Sequence, residues 1–223
     1  MLSGSMRLVL PRIVAVVSLA FWSQCSLAAP IVFTDQSLFD AATGPLSIES
    51  FESLPAPNTF VFGATAVTAD LTVALSVGGG PAGGGVRSLS FGDTHATDGT
   101  NYFINSTGGG GNKSLRITFN NDISAFGVFI TGFPQLASLP LDFLTDTGFA
   151  GVAASDVGPS DQFFGLIDLA TPFNFITFTS TSPGVQYGLD EVRYGSAGSV
   201  PEPTTIALLA LGLAGLALLR RAV

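Results

Sequence analysis

Apolar and polar positions alternate with a period of two through most of residues 29–199. Leu71, Val73, Leu75 and Val77 are interleaved with Thr72, Ala74 and Ser76, and Leu115, Ile117 and Phe119 with Arg116 and Thr118. Phe126, Val128 and Ile130 repeat the pattern and leave Phe129 on the opposite face. Successive side chains of a strand point to opposite faces, so each run predicts a half-buried strand of an antiparallel sheet. Glycine-rich breaks at 78–85, at 108–111 and around Gly148 cut the pattern into short segments, as do proline-containing turns near 55–57, 134–140, 159 and 183. Residues 36–42 are the one helical candidate, a turn or two long. Many short strands without helices to cover them predict an all-β fold of two sheets packed face to face, an antiparallel β-sandwich or jelly roll. Eighteen of the 19 phenylalanines fall in this stretch and are expected to dominate its core. No regular internal repeat appears, which argues against a solenoid.

Both ends of the chain depart from this pattern. Arg7 and Arg12 precede an apolar run over 13–22, and Ser26-Leu27-Ala28 follows as a small-x-small cleavage site. Basic, apolar and small residues in that order predict a secretory signal peptide over 1–28. Cleavage by signal peptidase is placed between Ala28 and Ala29, because a cut one residue later would put Pro30 on the scissile bond. Initiation at Met1 or Met6 is left open. Cys25 raises a lipoprotein alternative, but Gln24 is too large for the position before a lipidated cysteine.

At the other end, Pro201-Glu202-Pro203 introduces an uncharged apolar stretch over 204–219, closed by Arg220 and Arg221. Its 16 residues would span about 24 Å as a helix, short of the ~30 Å hydrocarbon core, with the arginines snorkelling to the interface. The positive-inside rule places the arginine pair in the cytoplasm and the preceding domain outside. The two prolines fix extended backbone and withhold N–H groups, which keeps the tripeptide open to an enzyme. Residues 200–223 resemble the PEP-CTERM sorting signal of Gram-negative bacteria, with Pro201, Glu202 and Pro203 as its defining tripeptide. That resemblance implies transient anchoring in the inner membrane, processing by the protease-transpeptidase exosortase, and delivery to the cell surface or extracellular matrix of an exopolysaccharide-producing bacterium. A plain permanent tail anchor is the alternative.

Removing 1–28 also removes the only cysteine, the only tryptophan and both methionines, so the mature chain has no thiol chemistry and no disulfide. Between residues 29 and 199 there are 15 acidic side chains against four basic ones, a net charge of −11. Such a field repels nucleic acid and anionic lipid and suits calcium-rich surroundings. The glycine-rich run over 78–85 lacks the Lys-Ser or Lys-Thr of a phosphate loop and reads as a flexible loop. His95, the single histidine, sits in a polar run with no Gly-x-Ser-x-Gly elbow beside it, and reads as part of a solvated loop.

One pair of acids stands out by phase. Glu52 is in register with Leu46 and Ile48, and Asp190 with Val192 and Tyr194, so both carboxylates are expected to face the apolar side of their strands. A charge there is costly unless paired, and the domain has only four basic residues. A calcium ion held by Glu52, Asp190 and backbone carbonyls would answer both charges. The bland alternative is that both acids sit at strand ends and reach water. A looser resemblance accompanies these segments. Phe39-Asp40-Ala41-Ala42, Phe51-Glu52, Asp98-Gly99-Thr100-Asn101-Tyr102, Phe163-Phe164-Gly165 and the stretch from Gly188 through Tyr194 are similar to the jelly-roll ectodomains of many PEP-CTERM proteins. They are also similar to carbohydrate-binding modules, a resemblance that implies a structural Ca2+ held by an acid near each end. Tyr102, Tyr187 and Tyr194 are the large amphipathic aromatics available for sugar stacking, with sandwich core as their other reading. The expected function is a non-enzymatic surface or matrix protein associated with exopolysaccharide and biofilm, binding glycan weakly. The alternative is a polysaccharide hydrolase using paired carboxylates.

Overall fold

The computed structural model describes residues 29–58, 61–62, 64–77, 82–107, 113–132, 140–155, 161–180 and 185–198. In chain order the elements are β1 (Ile31–Phe33), α1 (Gln36–Thr43), β2 (Ser47–Glu49), β3 (Val61–Phe62), β4 (Thr65–Val67), β5 (Leu71–Val77) and β6 (Ala82–Arg87). There follow β7 (Tyr102–Thr107), β8 (Lys113–Ile123), β9 (Ala125–Thr131), β10 (Leu141–Thr145), β11 (Ala150–Ala154), β12 (Gln162–Ile167), β13 (Phe173–Ser180) and β14 (Tyr187–Gly195). Two antiparallel sheets result. One runs β1-β12-β9-β14-β7-β6-β3, with β2 also paired to β14; the other runs β11-β10-β13-β8-β5-β4. The all-β sandwich expected from the alternation is what forms.

The alternation sets the two layers. Leu71, Val73 and Leu75 of β5, Leu115, Ile117 and Phe119 of β8 and Phe178 of β13 turn inward from the second sheet. Phe126, Val128 and Ile130 of β9 meet them from the first, with Phe164 and Leu166 of β12 and Leu189 of β14. Phenylalanines dominate this seam: Phe126 and Phe164 each pack on Phe178 with ring centroids 6.0 and 5.9 Å apart. Apolar area removed from water is the main favourable term in such a core.

The opposite face of β9 and β12 carries a second apolar cluster, and α1 covers it. Asp35 starts the helix as its N-cap, accepting the Leu38 N–H at 3.1 Å, and Gly44 ends it. Phe39 of this helix lies over Gly127 and Gly165, which face each other across the β9–β12 ladder. A Cβ on Gly127 would stand 2.8 Å from the Phe39 ring, and one on Gly165 2.6 Å from it. The paired glycines therefore make the shallow floor into which the helix inserts its aromatic ring. Phe163 closes the cluster, 5.4 Å from Phe39 and from Phe129. Phe129 faces outward from the main core, as its phase predicts.

The glycine-rich run needs correction. Residues 82–87 are strand, with Gly83, Gly84 and Gly85 paired to Ser106, Asn105 and Ile104 of β7. A side chain at Gly84 would collide with the Ile104 carbonyl and Leu75, so the glycine permits close approach of backbone to core. Residues 78–81, 108–111, 133–139, 156–160 and 181–184 lie outside the described residues, as do 1–28 and 199–223. The expected signal peptide with Ala28, the apolar helix over 204–219 and the motif residues Pro201, Glu202, Pro203, Arg220 and Arg221 fall there. No helix among the described residues is long and apolar enough to cross a membrane.

Candidate functional site

Asp190 occupies a break in the first sheet. β14 pairs with β7 through residues 187–189 and with β2 through residues 192–194, and its register against β9 shifts between Asp190 and Arg193. Glu191 takes a left-handed φ of 48° at the shift. The segment over 97–101 lies against this gap. The Asp190 carboxylate is fully buried and accepts the Thr97 N–H at 2.6 Å, the Asp98 N–H at 3.0 Å and the Glu191 N–H at 2.8 Å. The Thr97 hydroxyl adds a fourth donor at 3.1 Å. Burial pushes the Asp190 carboxyl above the usual carboxylate range, and the N–H donors oppose that shift.

Glu52 holds the other end of the same segment. It accepts the Thr100 N–H at 2.6 Å and the Asn101 N–H at 2.5 Å, which lower its carboxyl below the usual range, Asn101 contributing most. Asn101 returns the contact through its amide to the Phe51 and Leu54 carbonyls, both at 3.1 Å. The two acids singled out by phase thus meet on one segment, as a clasp on its backbone.

Their expected geometry holds for neither. Asp190 is buried, but it pairs with Phe129 on the face of β14 opposite Leu189, away from the main core, because the register shift between Asp190 and Arg193 breaks the phase it was expected to share with Val192 and Tyr194. Glu52 does not lie on a strand, because β2 ends at Glu49 and Phe51 adopts a φ of 61°, which sends its ring into the core and leaves Glu52 exposed. Ile48, the residue whose phase Glu52 was expected to share, is 52% exposed. Among the described residues no three Asp, Glu or His side chains converge as a metal site would require. The donors that answer the buried charge of Asp190 are N–H and O–H groups, three on Oδ2 and one on Oδ1.

His95 sits beside the clasp as a tie. Its Nδ1 meets the Asp93 carbonyl at 2.8 Å and its Nε2 the Asp161 carboxylate at 3.1 Å. The Asp93 carbonyl chiefly, and Asp161 with it, raise its pKa. A catalytic histidine keeps one ring nitrogen for the nucleophile and the other for an orienting group; here protein oxygens engage both. The three tyrosines are core. Tyr102 and Tyr187 are fully buried, and the Asn105 amide donates to the Tyr187 hydroxyl at 3.0 Å. Tyr194 is 9% exposed and packs its ring on Phe119 beneath a surface hollow.

That hollow, of about 260 Å³, is the feature the sequence did not point to. It opens at one end of the sandwich between the β4–β5 turn, the end of β8 and the end of β14. Phe119, Ile123 and Tyr194 form its buried floor, with the Phe119 and Tyr194 rings 5.4 Å apart. Exposed Asp70, Asn121, Asp122 and Ser47 form its rim. Asn120 fixes the turn against β8: its N–H donates to the Asp70 carbonyl at 3.0 Å and its amide to the Ala69 carbonyl at 2.8 Å. The Tyr194 hydroxyl donates to Asp70 at 3.1 Å; burial, then Asp70, push its pKa up to about 12, so it stays a donor at neutral pH. No described protein donor reaches the Asp122 carboxylate. The rim residues come from three separate stretches of the chain, and in sequence they read as ordinary solvent-facing positions.

A second hollow of about 500 Å³ beside α1 is lined by Asp35, Asp40, Asp161, Phe129 and Phe163. Its acids are already engaged: Asp35 by Leu38 and Ser37, Asp40 by Arg193 and Gln36, and Asp161 by His95.

The fold and these sites define an acidic β-sandwich domain. Residues 199–221, directly after it, match the PEP-CTERM protein-sorting motif, which indicates export, membrane-anchored sorting and processing by an exosortase in Gram-negative bacteria. No curated protein matches the chain. Among solved structures, a family 29 carbohydrate-binding module variant is similar at 14% identity over 65% of this chain and 97% of that one, with a TM-score of 0.36. Another variant of that module, complexed with mannohexaose, gives 13% identity over 65% and 96% of the two chains at a TM-score of 0.36. The enzymatically active domain of bacteriophage CBA120 tailspike protein 4 gives 13% identity over 57% of this chain and 19% of that one, also at 0.36. Overlaps this loose match strands and not side chains, so they bear on no ligand here.

Proposed function

We propose that the mature chain is a non-enzymatic protein of the bacterial cell surface or extracellular matrix that associates with exopolysaccharide and binds it weakly. Signal peptidase cuts before Ala29, and the segment over 204–219 anchors the chain in the inner membrane until exosortase acts at Pro201-Glu202-Pro203. The observation that carries this reading is the sorting motif itself, which begins four positions after β14 ends at Gly195. Two further features support it. The net charge of −11 favours a hydrated, cation-rich matrix over nucleic acid. At the clasp, Asp190 and Glu52 are engaged by backbone N–H donors, and both ring nitrogens of His95 meet protein oxygens.

Fractionating cells with and without their exosortase tests the reading. With the enzyme, the protein is expected in the surface or matrix fraction, shortened at both ends. Without it, the protein stays in the inner membrane with residues 204–223 attached; an unchanged distribution would overturn the proposal. The second reading, a hydrolase with paired carboxylates, has Asp70 and Asp122 on one hollow in its favour. Reducing-sugar release that a single Asp or Glu substitution abolishes would establish it instead.

A further inference from the structure

The sandwich is entered and left at one end of its first sheet. Ile31 of β1 pairs with Ile167 of β12, Ile167 with Ala125 of β9, and Ala125 with Gly195 of β14. These four residues form one row across neighbouring strands, and three strand spacings put the first and last about 14 Å apart. The first strand starts at Ile31 and the sorting motif follows shortly after Gly195, so one end of the domain carries both junctions. We propose that this end, around Ser124, Leu169 and Gly198, is the surface on which the membrane-embedded exosortase docks when it processes the motif. The inference deepens the processing part of the proposed function and rests on that part.

The exit of the chain is fastened. The Ser124 N–H donates to the Gly195 carbonyl at 3.0 Å, the Ala197 N–H to the Ser124 hydroxyl at 2.9 Å and the Gly198 N–H to the Thr43 carbonyl at 3.2 Å. Ala197 also packs on the apolar cluster under α1. Only Ser199 and Val200 then separate Gly198 from Pro201. Three residue steps reach about 10 Å at full extension, so the tripeptide begins within that distance of the last fastened residue. A folded domain of about 100 residues already has a radius of gyration of about 13 Å. An enzyme of even that size, closing on Pro201-Glu202-Pro203, therefore meets the sandwich around Gly198.

Charge favours a protein partner over the lipid surface. Exposed Asp70 and Asp122 lie at this end, and the domain's four basic residues lie elsewhere or are paired. Lys113 and Arg116 are in the first half of β8, which reaches this end at Ile123. Arg87 pairs with Tyr102 across β6 and β7, and Arg193 is held by Glu191 and Asp40. Such a face is repelled by anionic headgroups and suits a basic protein surface. The turn between β12 and β13 completes it. Asp168 is buried and accepts the Ala170 N–H, the Thr171 N–H and the Thr171 hydroxyl, which shapes the turn and leaves Leu169 37% exposed. The Asp168 N–H donates to the Ser124 carbonyl at 2.8 Å and fixes the turn beside the chain exit.

The test is cross-linking of the full chain in membranes that contain the enzyme. Residues 29–223 have no cysteine, so Leu169→Cys and Asp93→Cys each give the processed chain a single exposed thiol for a photo-activated cross-linker. Asp93 stands at the other end of the sheet, beside Gly132 and past Thr131, which is about 20 Å from Ala125 along β9. Leu169→Cys is expected to form an adduct with exosortase several-fold more than Asp93→Cys does. Inserting about 20 Gly/Ser residues after Gly198, a coil of about 25 Å end to end, is expected to erase that preference while the tail is still removed. Equal adducts from the two positions, no adduct in chains that are losing their tail, or adducts of Leu169→Cys with lipid alone would overturn the docking surface and leave processing standing. A tail retained in full in the presence of the enzyme would overturn the processing itself.

Discussion

The clasp and the end hollow are both built around a pair of acids, yet their carboxylates are used in opposite ways. At the clasp, Asp190 and Glu52 receive three and two backbone N–H groups, and their contacts close one segment over a break in the sheet. At the hollow, Asp122 receives no described donor and Asp70 a single hydroxyl. A carboxylate whose lone pairs are filled by backbone is part of the fold. One left open on an exposed rim carries little of it. What distinguishes the two pairs is the occupancy of their oxygens, and acid content alone carries no such information.

That contrast can be broken first at its strongest point. Asp190→Ala strands three backbone N–H groups in a buried site and is expected to cost about 3 kcal/mol, since an unsatisfied buried donor costs roughly 1–3 kcal/mol. For a domain of this size the melting temperature falls by roughly 6–12 °C, read by circular dichroism. A loss under about 1 kcal/mol would show that the clasp holds nothing. Glu52→Ala removes an exposed cap on two N–H groups and is expected to cost about 1 kcal/mol, in the range of lost helix caps.

The pH dependence sharpens the same contrast, because the two clasp acids shift in opposite directions. The pKa of Asp190 is raised in the folded state, so its contribution to stability is fully present below the unfolded value and is lost as pH rises through the folded one. Replacement by Asn fixes the neutral form, so the penalty of Asp190→Asn is expected to be larger at low pH than at neutral pH. The pKa of Glu52 is lowered, so its contribution is present above the unfolded value and is lost as pH falls through the folded one. Glu52→Gln is therefore expected to cost stability at neutral pH and nothing in strong acid. Denaturant melts across the acid range check both signs; parallel profiles for the two variants would contradict the assignment. The smallest effect concerns calcium. After chelator treatment, Asp190→Asn and Glu52→Gln are expected to leave any calcium-dependent shift in melting temperature unchanged, and loss of such a shift in either variant would restore a cation between them.

Much of the sandwich was legible because period-two alternation states directly which face each residue joins. Phe126 and Phe129, three positions apart, went to opposite clusters as their phases require. Legibility failed where backbone conformation overrode phase. Phe51, with its positive φ, ended a strand that the Leu46–Ile48 alternation would have carried on to Glu52, and Gly84 sits in a strand because only a residue without a side chain fits between Ile104 and Leu75. The clasp was half legible: the sequence singled out Asp190 as an acid needing an answer to its charge, but the phase used to place it breaks at the register shift, and no local signal shows that the N–H groups of Thr97 and Asp98 would answer that charge. The hollow was not legible, since Asp70, Asp122 and Tyr194 come together only through the pairing of strands distant in sequence.

The division of labour between the two acid pairs is tested most directly by melting Asp190→Ala and Asp122→Ala side by side. Asp122→Ala is expected to melt within about 0.5 kcal/mol of the unchanged protein, as surface substitutions do. Asp190→Ala is expected to melt far lower. Equal stability losses in the two variants would contradict the account.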